Sequence, residues 1–150
     1  MDFTASNPCG ARIREVMTAR VHTLELDDFV YQAARLFERE HFHHAVICER
    51  GKIQGVISDR DILKALSPFL GQSSLERPQD LATTRRRIHQ IMTRRLVTIH
   101  VDQTTVEAAR KMLDERVSCL PVVDDKGALV GITSMRDLVA HLAGASPATV

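Results

Sequence analysis

The chain has 150 residues, 44% apolar but only 4% aromatic with no Trp, so its core must rest on Ile, Leu, Val, Ala and Met. Twenty Lys and Arg against 19 Asp and Glu leave a formal net charge of +1, which gives no basic excess for sequence-independent nucleic-acid binding. No apolar run approaches the roughly 18 residues that cross a bilayer, and Asp2 stands where a secretory signal carries bases, so a soluble, cytoplasmic chain is expected.

Taken in chain order, residues 1–10 read as a loose tail. The next segment, Arg12-Ile13-Arg14-Glu15-Val16-Met17-Thr18, leads into an extended stretch at Val21-His22-Thr23-Leu24. A helix follows, with Val30, Ala33, Ala34 and Phe37 at i, i+3, i+4 and i+7. Phe29 occupies its capping position, so the cap is expected from Asp27 or Asp28. Two strands come next, at residues 45–48 and 53–57, joined by the turn Glu49-Arg50-Gly51-Lys52. A short helix closes this part, with Ile62, Leu63 and Leu66 expected inward. Residues 67–86 read as a linker from Pro68, Gly71 and Pro78. A structureless loop of that length is uncommon, so a short helix is expected near Asp80-Leu81-Ala82.

The order then begins again. Arg87-Ile88-His89-Gln90-Ile91-Met92-Thr93 repeats the opening segment, Thr98 falls on Thr23, Asp102 on Asp27, and Ala108-Ala109-Arg110 on Ala33-Ala34-Arg35. Thr104-x-x-Glu107 forms a capping box before a helix carrying Thr105, Ala108, Ala109 and Met112 on one face. Strands at residues 120–123 and 129–132 flank Asp124-Asp125-Lys126-Gly127, and one extra residue there restores the register. The last helix has Leu138, Val139 and Leu142 expected inward, before a tail at residues 144–150. The reading is therefore an α+β chain of two β-α-β-β-α repeats, residues 11–66 and 87–143.

Gly55-x-x-Ser58-x-x-Asp61 and Gly131-x-x-Ser134-x-x-Asp137 both lie where a strand passes into a helix. Free N–H groups there suit a phosphate, the glycine leaves room for a ligand, and the acid can accept hydrogen bonds from ribose hydroxyls. Arg60 and Arg136 can neutralise phosphate charge. Ser-x-x-Asp is equally a capping box that starts a helix, and the two roles do not exclude each other.

The series Met-Thr, strand, helix, Leu-Pro-Val-Val-Asp, Leu-Val-Gly-Ile-x-Ser-x-x-Asp resembles a cystathionine-β-synthase (CBS) domain, here in tandem from about Arg12 to Leu142. The resemblance implies two repeats packed through their sheets with pseudo-two-fold symmetry. It implies clefts that bind adenine nucleotides or S-adenosylmethionine, a homodimer, and an unknown regulated partner protein, with no catalytic role and no cofactor. Ser58, Asp61, Ser134 and Asp137 match the ribose-phosphate motif, with Arg60, Arg136 and Thr133 beside it. Val21, Thr23, Val97 and Thr98, with Ala45, Val46, Leu120 and Pro121, match positions lining the adenine pocket. The first repeat departs from the pattern, with Ala45-Val46-Ile47 where the second has Leu120-Pro121-Val122. The alanine-faced helices offer a surface for the dimer.

Other features read as structural. His41-x-His43-His44 invites a metal, but its side chains diverge and the second repeat has Arg116, Ser118 and Cys119 instead. Arg85-Arg86-Arg87 and Arg94-Arg95 read as a solvated face, with contact to ligand phosphates from the same or a neighbouring subunit as the sharper alternative. Cys9, Cys48 and Cys119 include no Cys-x-x-Cys pair, which suits a reducing compartment. No activated nucleophile, paired acids or phosphate loop with Lys is visible. Two rivals to nucleotide sensing remain: a ligand-free dimerising adaptor, and a redox or metal sensor.

Overall fold

The structure, a computed structural model, describes residues 10–72 and 74–145. The expected tails and Cys9 lie almost wholly outside the described residues. In chain order the elements are α1 (Ile13–Val16), β1 (Thr23–Leu24), α2 (Val30–Glu40), β2 (His44–Glu49), β3 (Lys52–Ser58), α3 (Asp59–Ala65) and α4 (Pro78–Thr84). A 3-10 turn (Ile88–Gln90) precedes β4 (Ile99–His100), α5 (Thr105–Glu115), β5 (Cys119–Val123), β6 (Leu129–Ser134) and α6 (Met135–Leu142). The chain is α+β and repeats as expected, and α4 occupies the place predicted for the linker helix.

Each repeat makes a three-stranded sheet, β1-β2-β3 or β4-β5-β6, whose short first strand is parallel to the central one. The first strands are two residues long rather than four. The hairpin β2–β3 turns through Arg50 and Gly51, both at positive φ, the conformation a two-residue turn requires. In β5–β6 the Asp124 carboxylate accepts from the Lys126 and Ala128 amides (2.9 and 2.8 Å) and Gly127 takes the positive φ. Leftover polar groups in the linker are tied down as well. Ser67 Oγ donates to Asp80 (2.6 Å), as does the Arg77 amide (2.8 Å), and these bonds hold the Asp80 carboxyl below its ordinary range.

The compact units do not coincide with the sequence repeats. One unit is residues 22–96; the other joins residues 10–21 to 97–145. Ile13 and Val16, from the start of the first repeat, are buried with Ile99, Ala108, Met112, Leu120, Val122 and Leu138. Ile88 and Met92, from the start of the second, are buried with Leu24, Val30, Ala33, Phe37, Ala45, Ile47, Ile57 and Ile62. Each leading segment therefore completes the core of the other repeat.

Backbone bonds hold the segments in matching register. Ile13 donates to Gln103 (2.8 Å) and Ile88 to Asp28 (2.9 Å); Arg14 donates to Val101 (3.2 Å) and His89 to Leu26 (3.0 Å). The guanidinium of Arg12 reaches the Asp102 carbonyl, and that of Arg87 the Asp27 carbonyl. Residues that align between the repeats thus make equivalent bonds in the two units. This docking also explains how α2 starts. Neither Asp27 nor Asp28 caps it: Asp28 accepts from the Glu25 amide (2.9 Å) in the preceding turn. Instead Val30 donates to the Arg86 carbonyl (2.9 Å), and the Gln32 side chain accepts from the Phe29 amide (2.8 Å). In α5 the predicted Thr104–Glu107 box forms as expected.

Three residues expected inward face solvent: Leu63, Val139 and Leu142. The closing helices are short and meet the core through Ile62 and Ala65 or Leu138, so their i+1 neighbours Leu63 and Val139 turn away, while Leu142, on the row of Leu138, is the last residue of α6. The alanines of α2 and α5 are not a docking surface. Ala33 and Ala108 are buried inside their own units.

The glycines of the two motifs also do something other than admit a ligand. Val56 and Thr93 exchange both backbone bonds (3.1 and 2.9 Å), as do Ile132 and Thr18 (3.0 and 2.9 Å). A Cβ at Gly55 would collide with the Thr93 carbonyl oxygen, and one at Gly131 with the Met17 thioether. The space left by each missing side chain is filled by the docked Met-Thr segment. Backbone cannot yield as a thioether can, so Gly55→Ala should cost about 1–3 kcal/mol and Gly131→Ala clearly less, read as melting midpoints. Thr133 is a second test of the core. It is fully buried opposite Leu120 with its hydroxyl unpaired, so Thr133→Val should stabilise the chain by about 1 kcal/mol in a denaturant titration.

Candidate functional site

Ser58 ends β3 and caps α3; Ser134 ends β6 and caps α6. Asp61 Oδ2 accepts from the Ser58 amide (2.9 Å) and hydroxyl (2.7 Å), while Ser58 Oγ faces the Asp61 amide (3.3 Å). The second copy repeats this, at 2.6, 2.6 and 3.3 Å for Ser134 and Asp137. The capping box is therefore made in both units. It uses one oxygen of each carboxylate, and among the described residues Oδ1 of Asp61 and of Asp137 makes no hydrogen bond. Both acids and both serines are part-buried, while Arg60 and Arg136 stand exposed beside them. Each site thus presents a fixed carboxylate oxygen, a serine hydroxyl and an exposed cation.

Strand alternation sorts the other expected site residues by face. Ala45 pairs with Ile57 and Leu120 with Thr133, and Ala45, Ile57 and Leu120 point into the cores under the helices. Thr133, beside Leu120, lies on the same covered face. Val46, which pairs with Val56 and Thr23, lies on the opposite face with Ser58, and Pro121 lies there with Ser134. Adjacent strand residues cannot both line one face, so only one of each pair offers its side chain there. Val21, Val97 and Thr98 are half-buried just before β1 and β4, in unpaired chain. Thr23 is exposed.

The remaining clusters are held in structural contacts. His43 Nδ1 bonds Asp59 Oδ2 (2.8 Å) at the first turn of α3. Burial pushes the Asp59 carboxyl up, but its bonds from His43 and the Arg60 amide outweigh this and hold it low. Among the described residues no three His, Cys, Asp or Glu side chains gather as metal ligands. Arg87 lies over the Phe29 ring at 3.8 Å, and Arg94 donates to the His89 carbonyl (3.0 Å). Burial pushes the Cys48 thiol up, away from the reactive thiolate. No helix among the described residues is long and apolar enough to cross a membrane.

Sequence reasoning missed one feature near the predicted pocket. His22 stacks on Phe42, with ring centroids 4.2 Å apart and planes at 11°. The 75-residue register aligns this pair with Val97 and Val117, and the difference was readable there.

Comparison with known proteins bears on these sites. The family model of the CBS domain matches residues 13–68 and 88–144. A CBS domain-containing protein of Dictyostelium discoideum is 31% identical over 129 residues, covering 85% of this chain and 88% of that protein. A homoserine O-acetyltransferase of Methanococcoides burtonii is 34% identical over 127 residues, but the match is 84% of this chain and only 23% of the enzyme. Among solved structures, the CBS domain pair of protein MJ0100, in complex with 5′-methylthioadenosine and S-adenosyl-L-methionine, superposes with a TM-score of 0.73 at 27% identity. That match covers 89% of this chain and 97% of the other. The cytosolic domain of the Mg2+ channel MgtE, in complex with ATP, gives 0.64 at 26% identity, covering 83% of this chain and 46% of the other.

Proposed function

Because this chain belongs to the CBS domain family, in two copies, we propose that it is a regulatory module that senses an adenine nucleotide or S-adenosylmethionine. The observation that carries this reading is the twice-built Ser–Asp pair. In each, the serine and the strand end lock one carboxylate oxygen and leave the other unbonded. A ribose diol needs such a fixed acceptor, because a carboxylate already oriented loses little freedom on binding. Arg60 and Arg136 supply charge for phosphates, and Ser58 and Ser134 a hydroxyl. The adenosine compounds bound by the MJ0100 pair and by the MgtE domain support the same ligand class.

Val21, Thr23, Val46, Val97, Thr98 and Pro121 are proposed as base-side contacts, with Ala45, Leu120 and Thr133 as the core-facing support beneath them. This makes the chain a sensor rather than a catalyst. The match spans only 23% of the enzyme, and its acyl transfer is not carried over. Binding would favour one conformation over another by the ligand's differential affinity, and a partner protein would read that shift.

The ligand reading is tested by thermal shift with AMP, ATP, S-adenosylmethionine and 5′-methylthioadenosine. A compound at about 100 times its dissociation constant adds roughly 2.7 kcal/mol. At about 2–4 °C per kcal/mol, that shift is plain. The double variant Asp61→Asn/Asp137→Asn keeps an oxygen for each cap and should lose the shift. No shift with any compound in the wild type would leave the Ser–Asp pairs as helix caps and favour the adaptor reading.

Self-association is part of the same proposal. Leu63 on α3 and Val139 on α6 occupy equivalent positions and are 72% and 58% exposed. Such repeated apolar exposure suits a homodimer. Sedimentation velocity should give a dimer for the wild type and a folded monomer for Leu63→Glu/Val139→Glu; a monomeric wild type would refute this part.

A further inference from the structure

Residues 69–87 lie outside both stretches that the CBS family model matches, so the family pattern does not dictate their surface. The segment is nonetheless built to hold one orientation. The Ser67 hydroxyl and the Arg77 amide donate to the Asp80 carboxylate, and the Ser67 amide donates to Thr83 Oγ1 (3.2 Å). These bonds fix which way α4 faces. Asp80 is buried and Thr83 and Thr84 are half-buried, while Arg77, Pro78, Leu81, Ala82 and Arg85 stand exposed at i, i+1, i+4, i+5 and i+8. Leu81 is 50% exposed, and Phe69 and Leu75, ahead of the helix, are 45% and 54% exposed. Three large apolar side chains in so short a stretch add nothing to the core.

The charge around them is one-sided. Glu76 accepts from the Gly71 amide (2.6 Å), so both acids of residues 67–87, Glu76 and Asp80, are already bonded within the segment. Arg85 and Arg86 are exposed, and among the described residues their side chains make no hydrogen bond or ion pair. They also stand away from the Ser58 motif of their own unit. The Arg86 carbonyl and the Ile88 amide bond Val30 and Asp28, past the end of β1, whereas Ser58 pairs with His44 at the start of β2. Because β1 runs parallel to β2, these are opposite ends of the sheet, about 17 Å of strand apart. A phosphate at Ser58 is not what these arginines are placed to meet.

Building on the reading of the chain as a module that a partner protein reads, we propose that the exposed face of α4, together with Phe69 and Leu75, docks an acidic amphipathic helix of that partner. Apolar side chains edged by unpaired arginines fit a helix whose apolar stripe is edged by carboxylates, because guanidinium and carboxylate pair bidentately. Arg77, Leu81 and Arg85 follow one another at single turns and span about 12 Å, two turns of such a helix. A lipid surface is the poorer fit. Sequences that hold anionic membranes gather roughly four to eight cations, and this face has Arg77, Arg85 and Arg86.

The test is fluorescence anisotropy of the full chain with three synthetic amphipathic helices. One carries glutamates beside a leucine stripe, one has lysines in their place, and one keeps the glutamates with the stripe scrambled. The glutamate helix should bind, more weakly as salt rises, and the other two should not. Arg85→Glu/Arg86→Glu should weaken it about tenfold, as expected of two reversed surface charges, and Leu81→Ser by a similar factor for one leucine no longer covered. These side chains are exposed, so both variants should keep the wild-type melting midpoint. No binding of the glutamate helix, equal binding of either control helix, or undiminished affinity in either variant would overturn the surface. Binding of phosphatidylglycerol vesicles in place of the glutamate helix would assign the face to a lipid surface, and a dimer that dissociates in Leu81→Ser would assign it to a second copy; each overturns the proposal. The nucleotide thermal shift keeps the two readings apart. A chain that shifts with nucleotide but binds no helix overturns the surface alone, and one that binds the glutamate helix without any nucleotide shift overturns the nucleotide reading alone.

Discussion

Docking of an Arg-Ile-x-x-Val/Ile-Met-Thr segment on the sheet of the other repeat is the interaction on which each unit depends. β3 and β6 are edge strands, whose N–H and C=O groups would otherwise stay unpaired. Thr93 and Thr18 take those bonds, and they come close enough only because Gly55 and Gly131 lack side chains. The apolar residues ahead of them, Ile88 with Met92 and Ile13 with Val16, then fill cores that such small units could not close alone. Arg87 and Arg12 tie the segments down at the carbonyls of Asp27 and Asp102.

The same contact positions the chemistry. Val56 and Ile132, the bridged residues, stand two places before Ser58 and Ser134 on the same face of their strands. Each motif thus starts from a strand end held on both edges: by β2 and Thr93 in one unit, by β5 and Thr18 in the other. A carboxylate used as a fixed ribose acceptor needs that stiffness. Its cap bonds orient Oδ2, and the double-edged strand fixes the cap. The leading segment and the motif are joined by a continuous backbone hydrogen-bonded path through Val56 in one unit and Ile132 in the other.

Much of this was legible in the sequence. The repeat, both hairpins, the Thr104–Glu107 box, the linker helix and the Ser-x-x-Asp caps each follow from local chemistry, because turn residues and caps act within a few positions of themselves. The exchange of leading segments was not legible. Arg12 aligns with Arg87 and Asp27 with Asp102 whether each arginine bonds its own repeat or the other, since alignment carries no contact information. The glycines were misread for the same reason: an absent side chain signals close approach but does not say of what. Leu63 and Val139 looked inward because apolar residues at helical spacing usually are, yet a two-turn helix buries only one row; Leu142 shares the row of Leu138 but stands at the end of α6. Phe29 hid a cap that comes from Arg86, distant in sequence and adjacent only after docking.

Hydrogen exchange on the intact chain, comparing wild type with Ile13→Ala, tests the exchange of segments most directly. Ile13 belongs by sequence to the first repeat and by packing to the core of the second. Amides of α5, β5 and β6 should lose protection while those of β2 and β3 keep theirs. Loss confined to β2 and β3, with β5 and β6 unchanged, would contradict it.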